Sequence, residues 1–231
     1  MVEDIEVQVV RKKIKNLNLA ICPPDGRVRV SVPSHVTDET VRRVVLSRLS
    51  WIKKHQANFR SRPRPPQREM VSGESHYLWG KPYPLEVIER WGRHEMEITN
   101  SDRLRLYVKP NTTRVNRAKV LTEFYRAEMK KRLPDLIAKW EATLGEQVSE
   151  WGVKKMKTRW GSCNVSARRI WLNLELAKKP AECLEYILVH EMVHLLERRH
   201  NKRFRSYMDQ FMPQWRSQRE ALDREGQPLN H

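Results

Sequence analysis

The stretch His190–His200 reads HEMVHLLERRH and directly follows the apolar run YILV, residues 186–189. A helix entered through such a run is built for burial, yet this one carries three of the chain's eight histidines and two glutamates. Four residues turn a helix by about 400°, so His190 and His194 leave the same face one turn apart. Two imidazoles so placed reach one metal ion at about 2.0–2.1 Å each. Glu191 lies about 100° further round, where a carboxylate reaches a water beside the metal without occupying the metal. That is the mechanical content of H-E-x-x-H: two ligands and a general base. Two surface histidines on an amphipathic helix would spell the same letters, so the surrounding chain has to decide.

A catalytic zinc takes three protein ligands and leaves the fourth position to water. His200 is the candidate third ligand. On a continuing helix it would sit about 240° from His194, on the wrong face, so it joins only if the helix ends first. Arg198 and Arg199 suit a C-terminal turn. Asn201 is a good N-cap for a new helix, KRFRSYMDQFM, whose apolar face is Phe204, Tyr207, Met208 and Phe211. His200 then occupies the bend between two helices, although no glycine marks the break. The competing reading makes His200 an ordinary loop histidine, with Asp209 or Glu220 as the substitute ligand.

Upstream, IEVQVV (5–10), LNLAIC (17–22) and VRVSV (28–32) read as strands, with PPDG (23–26) as turn chemistry. Thr37 or Asp38 caps a helix expected over 38–59, whose Val41, Val44, Val45, Leu49 and Ile52 share a face. RSRPRPPQRE (60–69) reads as an extended linker or surface loop. A second β set follows in SHYLWGKPYPLEVIER, HEMEIT and RLRLYV. A long helix is expected over about 113–144, capped by Asn111 or Thr112, ended by Gly145, and kinked or divided by Pro134. VKKMKTRWGSC and RRIWLNLEL then read as two short strands joined by a loop, and Pro180 opens the HEMVH helix. The expected class is α+β: a β-rich region with one helix at residues 1–110, then a catalytic domain at residues 111–231 made of a long helix, short strands, the HExxH helix and a C-terminal helix.

Composition bounds the rest. The chain has 231 residues, 39% hydrophobic and 32% charged, with 45 Lys and Arg against 28 Asp and Glu. It is long enough for a core and too apolar for a disordered chain. The net charge of +17 attracts polyanions, nucleic acid among them. Three scattered cysteines form no CxxC pair, and neither a signal peptide nor a transmembrane run is evident, so reduced thiols, a cytoplasmic setting and no membrane partner are the expectation.

RWGSC (159–163), IWLNLELAKKP (170–180) and YILVHEMVHLLERRHNKRF (186–204) together resemble the YgjP-like family of zinc metallopeptidases, also described as metal-dependent hydrolases. These are minimal zincins similar to the SprT and WLM peptidases. The resemblance is strong over about residues 150–212 and looser before them. It implies a zincin-like catalytic domain, His190, His194 and His200 as ligands of one Zn²⁺, Glu191 as base, Phe204 as the aromatic after the third histidine, and hydrolysis of peptide-like bonds.

The reaction would then be attack of an activated water on a carbonyl, with Glu191 moving the proton. Arg159, Trp160, Ser162 and Asn173 are the candidate substrate contacts, and the strand at Ile170–Leu174 is the candidate edge for an extended peptide. Trp160 as core and Asn173 as a polar strand residue are the plainer alternatives. Cys163 has no activating neighbour in the sequence and is not expected to be a nucleophile. Nucleic-acid-bound proteins are a substrate class compatible with the charge. The alternative function is a basic nucleic-acid-binding module whose zinc site is structural or vestigial.

Overall fold

The computed structural model describes residues 3, 5–22, 26–61 and 68–224. The PPDG turn and the centre of the Pro/Arg segment therefore lie outside the described residues, except for Gly26, Arg60, Ser61, Arg68 and Glu69. The chain divides into two compact units, one ending at Gln67 and the other starting at Arg68.

In the first unit, β1 (Val7–Lys12) runs parallel to β3 (Arg27–Pro33), and β2 (Asn18–Cys22) pairs antiparallel on the other side of β3. Val28, Val30 and Val32 alternate inward from this central strand and are fully buried. They share a core with Val41 and Val45 of α1 (Asp38–Ser47) and Ile52 of α2 (Leu49–Ser61). Thr37 caps α1 by accepting the Thr40 N–H at 3.3 Å. The expected single helix over 38–59 is broken at Arg48, whose N–H turns back to the Leu46 and Val45 carbonyls.

In the second unit, β4 (Ser75–Leu78), β5 (Lys81–Glu89), β6 (Glu95–Ile98) and β7 (Leu104–Val108) form a sheet in the order β4-β5-β7-β6. Leu85, Leu104, Leu106 and Val108 join the same core as α3 (Arg114–Leu144). This shared core is why the second unit begins at Arg68, whereas the sequence suggested a division at 110/111. The α3 helix is continuous through Pro134, so of the two expected outcomes, a kink or a division, the division does not occur. Its cap is Thr113, one residue beyond the expected positions, and it ends at Gly145 in the left-handed conformation (φ 69°) that glycine adopts without strain. Leu121, Tyr125, Met129, Leu133, Ile137, Trp140 and Leu144 give α3 one buried stripe.

The segment expected to hold two strands holds three: β8 (Glu150–Lys154), β9 (Gly161–Asn164) and β10 (Arg169–Asn173). The central strand is β10, parallel to β8 and antiparallel to β9. A short 3₁₀ turn over Leu174–Lys178 leads to α4 (Ala181–Val193), of which every residue from Tyr186 onward is buried. The chain then turns into α5 (Lys202–Phe211) and α6 (Trp215–Arg224). The architecture is α+β, as the alternating and helical periods indicated. No described helix is long and apolar enough to cross a membrane.

His76 of β4 is 2% exposed. Burial first, and the charge of Arg68 second, push its pKa from 6.5 down to about 4, against an opposing pull from Glu74. Between those values the unfolded chain binds more protons than the folded one, so stability is lost as pH falls from about 6.5 to about 4. An NMR titration of the His76 ring should show a midpoint near 4, and a midpoint near 6.5 would contradict this placement.

Candidate metal centre

Helix α4 delivers His190 and Glu191 from its last turn, and His194 is its C-cap residue. The helix stops there. The Leu195 and Leu196 N–H groups bond three residues back, to Met192 and Val193, at 2.9 and 3.0 Å. Such tightening ends an α-helix by satisfying its last carbonyls. Asn201 then caps α5, its side-chain oxygen accepting the Phe204 N–H at 3.0 Å. His200 sits in the bend between the two helices, as the cap signal at Asn201 suggested.

The bend brings three rings together. His190, His194 and His200 each offer a nitrogen, and these atoms lie within 4.8 Å of one another. The His190 and His200 Nε2 atoms are 2.9 Å apart. Phe204 packs beneath the group, its ring centroid 4.9, 4.8 and 4.8 Å from those of His190, His194 and His200. His190 is buried, His194 half-buried and His200 exposed, so the group opens outward on one side. Among the described residues these three histidines form the metal-capable group, and Asp209 is committed elsewhere. Its carboxylate accepts from Trp215 Nε1 at 2.8 Å and Arg216 Nη1 at 2.5 Å.

The donor chemistry fits a divalent cation. Desolvation lowers the pKa of both His194 and His200, which favours the neutral imidazoles that ligate metals. The Glu197 carbonyl lies 3.1 Å from His194 Nδ1. A carbonyl only accepts, so it holds the proton on Nδ1 and leaves Nε2 for the site. The Glu197 carboxylate also accepts the Arg199 N–H at 3.0 Å, which stiffens the bend. These supports came from a residue that the sequence did not single out, and the carbonyl is main chain, which no residue type advertises.

Glu191 is 4% exposed. Burial pushes its carboxyl up to about 8, while the charge of Arg159 and the Cys163 N–H pull the other way. Its neighbour Gly161 opens β9, and a Cβ there would stand 2.6 Å from Glu191 Oε1 and 2.7 Å from its Cγ. Glycine is therefore what admits the carboxyl at this position, rather than merely making a turn. Burial and Glu191 together raise the Cys163 thiol to about 11, so it stays protonated, in line with its exclusion as a nucleophile.

Arg159, Ser162, Arg198 and the three histidines line a cleft of about 530 Å³, together with the whole of β9. Arg198, expected only at a helix end, stands in this lining. Two candidate contacts lie elsewhere. Trp160 is 1% exposed in the core. Asn173 is fully buried and spends its whole side chain on the preceding loop and the 3₁₀ turn. It donates to the Met156 and Arg159 carbonyls at 3.2 and 2.7 Å and accepts the Met156 and Glu175 N–H groups, both at 3.2 Å. The proposed edge also moves: β10 is paired on both sides, and of the two edge strands, β8 and β9, it is β9 that lies beside the histidines.

A family model described as YgjP-like, metallopeptidase domain, matches residues 15–225. The chain therefore belongs to the YgjP-like metallopeptidase family, whose members are metal-dependent hydrolases of the peptidase class. No curated protein and no solved structure gives a significant match.

Replacing Gly161 with Ala must displace the Glu191 carboxyl, since Cβ and Oε1 cannot both occupy 2.6 Å. A displacement of about 1 Å costs on the order of 10²-fold in rate. Gly161→Ala should lower peptide hydrolysis by that order while bound metal, measured by mass spectrometry, stays at wild-type stoichiometry. Unchanged hydrolysis would contradict the cradle.

Proposed function

We propose that the chain is a zinc-dependent peptidase in which His190, His194 and His200 hold one Zn²⁺ and Glu191 is the general base. The observation that carries this reading is the convergence of three imidazole nitrogens within 4.8 Å, with a buried carboxyl on the next residue of the same helix. A divalent cation held there supplies Lewis acidity, lowering the pKa of water towards about 7 and polarising a carbonyl. Three imidazoles with no carboxylate or thiolate favour zinc among divalent metals, with cobalt and nickel as chemical substitutes.

The chain's own groups do the remainder. Glu191 accepts a proton from the attacking water at a carboxylate oxygen and returns it to the leaving nitrogen. The Cys163 N–H holds that carboxyl in one orientation. The free edge of β9 receives an extended substrate by main-chain hydrogen bonds, which positions the scissile carbonyl over the cleft. Arg159 and Ser162 line the same cleft and face the substrate backbone or side chains.

Metal analysis beside hydrolysis tests the assignment. Glu191→Gln should retain full metal and lose at least about 10²-fold in hydrolysis, the usual scale of a general base. His190→Ala and His200→Ala should each lose metal and activity together. A Glu191→Gln protein with undiminished hydrolysis, or a His200→Ala protein with undiminished metal, would overturn the assignment of that residue.

A further inference from the structure

The second unit holds another cavity, of about 690 Å³, larger than the histidine cleft. Consecutive residues divide the two: Gly161 lines the cleft and Trp160 the cavity. Its apolar wall comes from Met70, Leu121 and Leu174. Five cationic side chains surround it: Arg68, Arg114, Lys155, Lys178 and Lys179. The carboxylate in the lining is Glu175, and Lys178 bonds it at 2.6 Å. Nearby Glu74 is committed to the Glu69 and Met70 N–H groups at 2.7 and 3.1 Å. Basic side chains thus outnumber acidic ones in this lining, which favours an anionic occupant.

One buried polar atom in the wall is left over. His76 is 2% exposed and its Nε2 has no hydrogen-bond partner, the Glu74 Oε2 atom standing 3.4 Å away. Tyr125 is 3% exposed and also lines the cavity. Burial raises the phenol pKa, so it remains a donor. Arg68 acts electrostatically on both His76 and Tyr125, and Lys178 on His76, which places these groups around the same space. Buried polar groups without partners are rare in folded proteins and ask for a reason.

We propose that this cavity binds a compact, multiply charged oxyanion, a phosphoryl or polycarboxylate group, between Arg68, Lys178, Lys155 and the Tyr125 hydroxyl. A polyanion meets several of these donors at once through charge-assisted bonds, which a single carboxylate cannot do. The apolar wall then covers whatever uncharged part the ligand carries. The site uses none of the three histidines, so it stands whether or not the metal assignment does.

Isothermal titration of the full-length, metal-loaded protein tests this with two probes, inorganic pyrophosphate and citrate, at low ionic strength because surface attraction fades with salt. At least one probe should bind saturably, one per chain, with Kd below about 1 mM. The tighter probe identifies the class. Arg68→Ala with Lys178→Ala should weaken it by about tenfold or more, the worth of charge-assisted bonds. Lys155→Ala, at an exposed loop position, should weaken it several-fold and guards against misfolding of the double variant. His194→Ala should leave it unchanged. Loss of binding in His194→Ala with retention in the cation variants would place the anion on the metal centre and overturn the proposal. So would the absence of saturable binding by either probe.

Discussion

The α4 helix has to stop at Val193. Continued by two more turns, it would carry the His200 ring to the opposite face and leave two imidazoles instead of three. The stop is made by the 3₁₀-like turn at Leu195 and Leu196, and the return by the Asn201 cap, with Glu197 bracing the bend through both its carbonyl and its carboxylate. Phe204 then fills the space under the three rings, near-equidistant from each. The apolar face of α5 thus anchors the bend to the core while the bend presents His200 outward.

Around that bend the protein solves two opposed demands. A cation site needs polar atoms gathered together, and the core that positions them needs to be dry. Burying His190 and Glu191 at the end of an otherwise apolar helix costs desolvation, seen in the carboxyl pushed to about 8. The compensation is local: the Cys163 N–H and the Arg159 charge act on Glu191, and Gly161 leaves it room. Asn173 secures the loop that carries Arg159, using all four of its side-chain hydrogen-bonding positions. The β9 strand therefore serves the cleft twice, as support for the carboxyl and as the open edge beside it.

What the sequence made legible were features that residue types encode directly. The i, i+4 spacing of His190 and His194, the Asn201 cap and the extent of α3 up to Gly145 all follow from helical period and side-chain chemistry. What it left obscure were relations between distant segments. Whether β10 is an edge depends on β8 arriving beside it, and no residue within Arg169–Asn173 reports that partner. Asn173 looks the same whether it faces a substrate or ties down a loop. Pro134 was expected to kink or divide α3, yet the helix runs unbroken through it, with a long buried stripe on either side. The grouping of β4–β7 with the later helices likewise arises from packing against α3, which local patterning cannot express.

Zinc-edge X-ray absorption on the purified, zinc-loaded chain counts and ranges the atoms around the ion. Three imidazole nitrogens at about 2.0–2.1 Å are expected, with one further light-atom scatterer from solvent. A sulfur shell near 2.3 Å, or four protein-derived ligands closing the ion off, would contradict that arrangement.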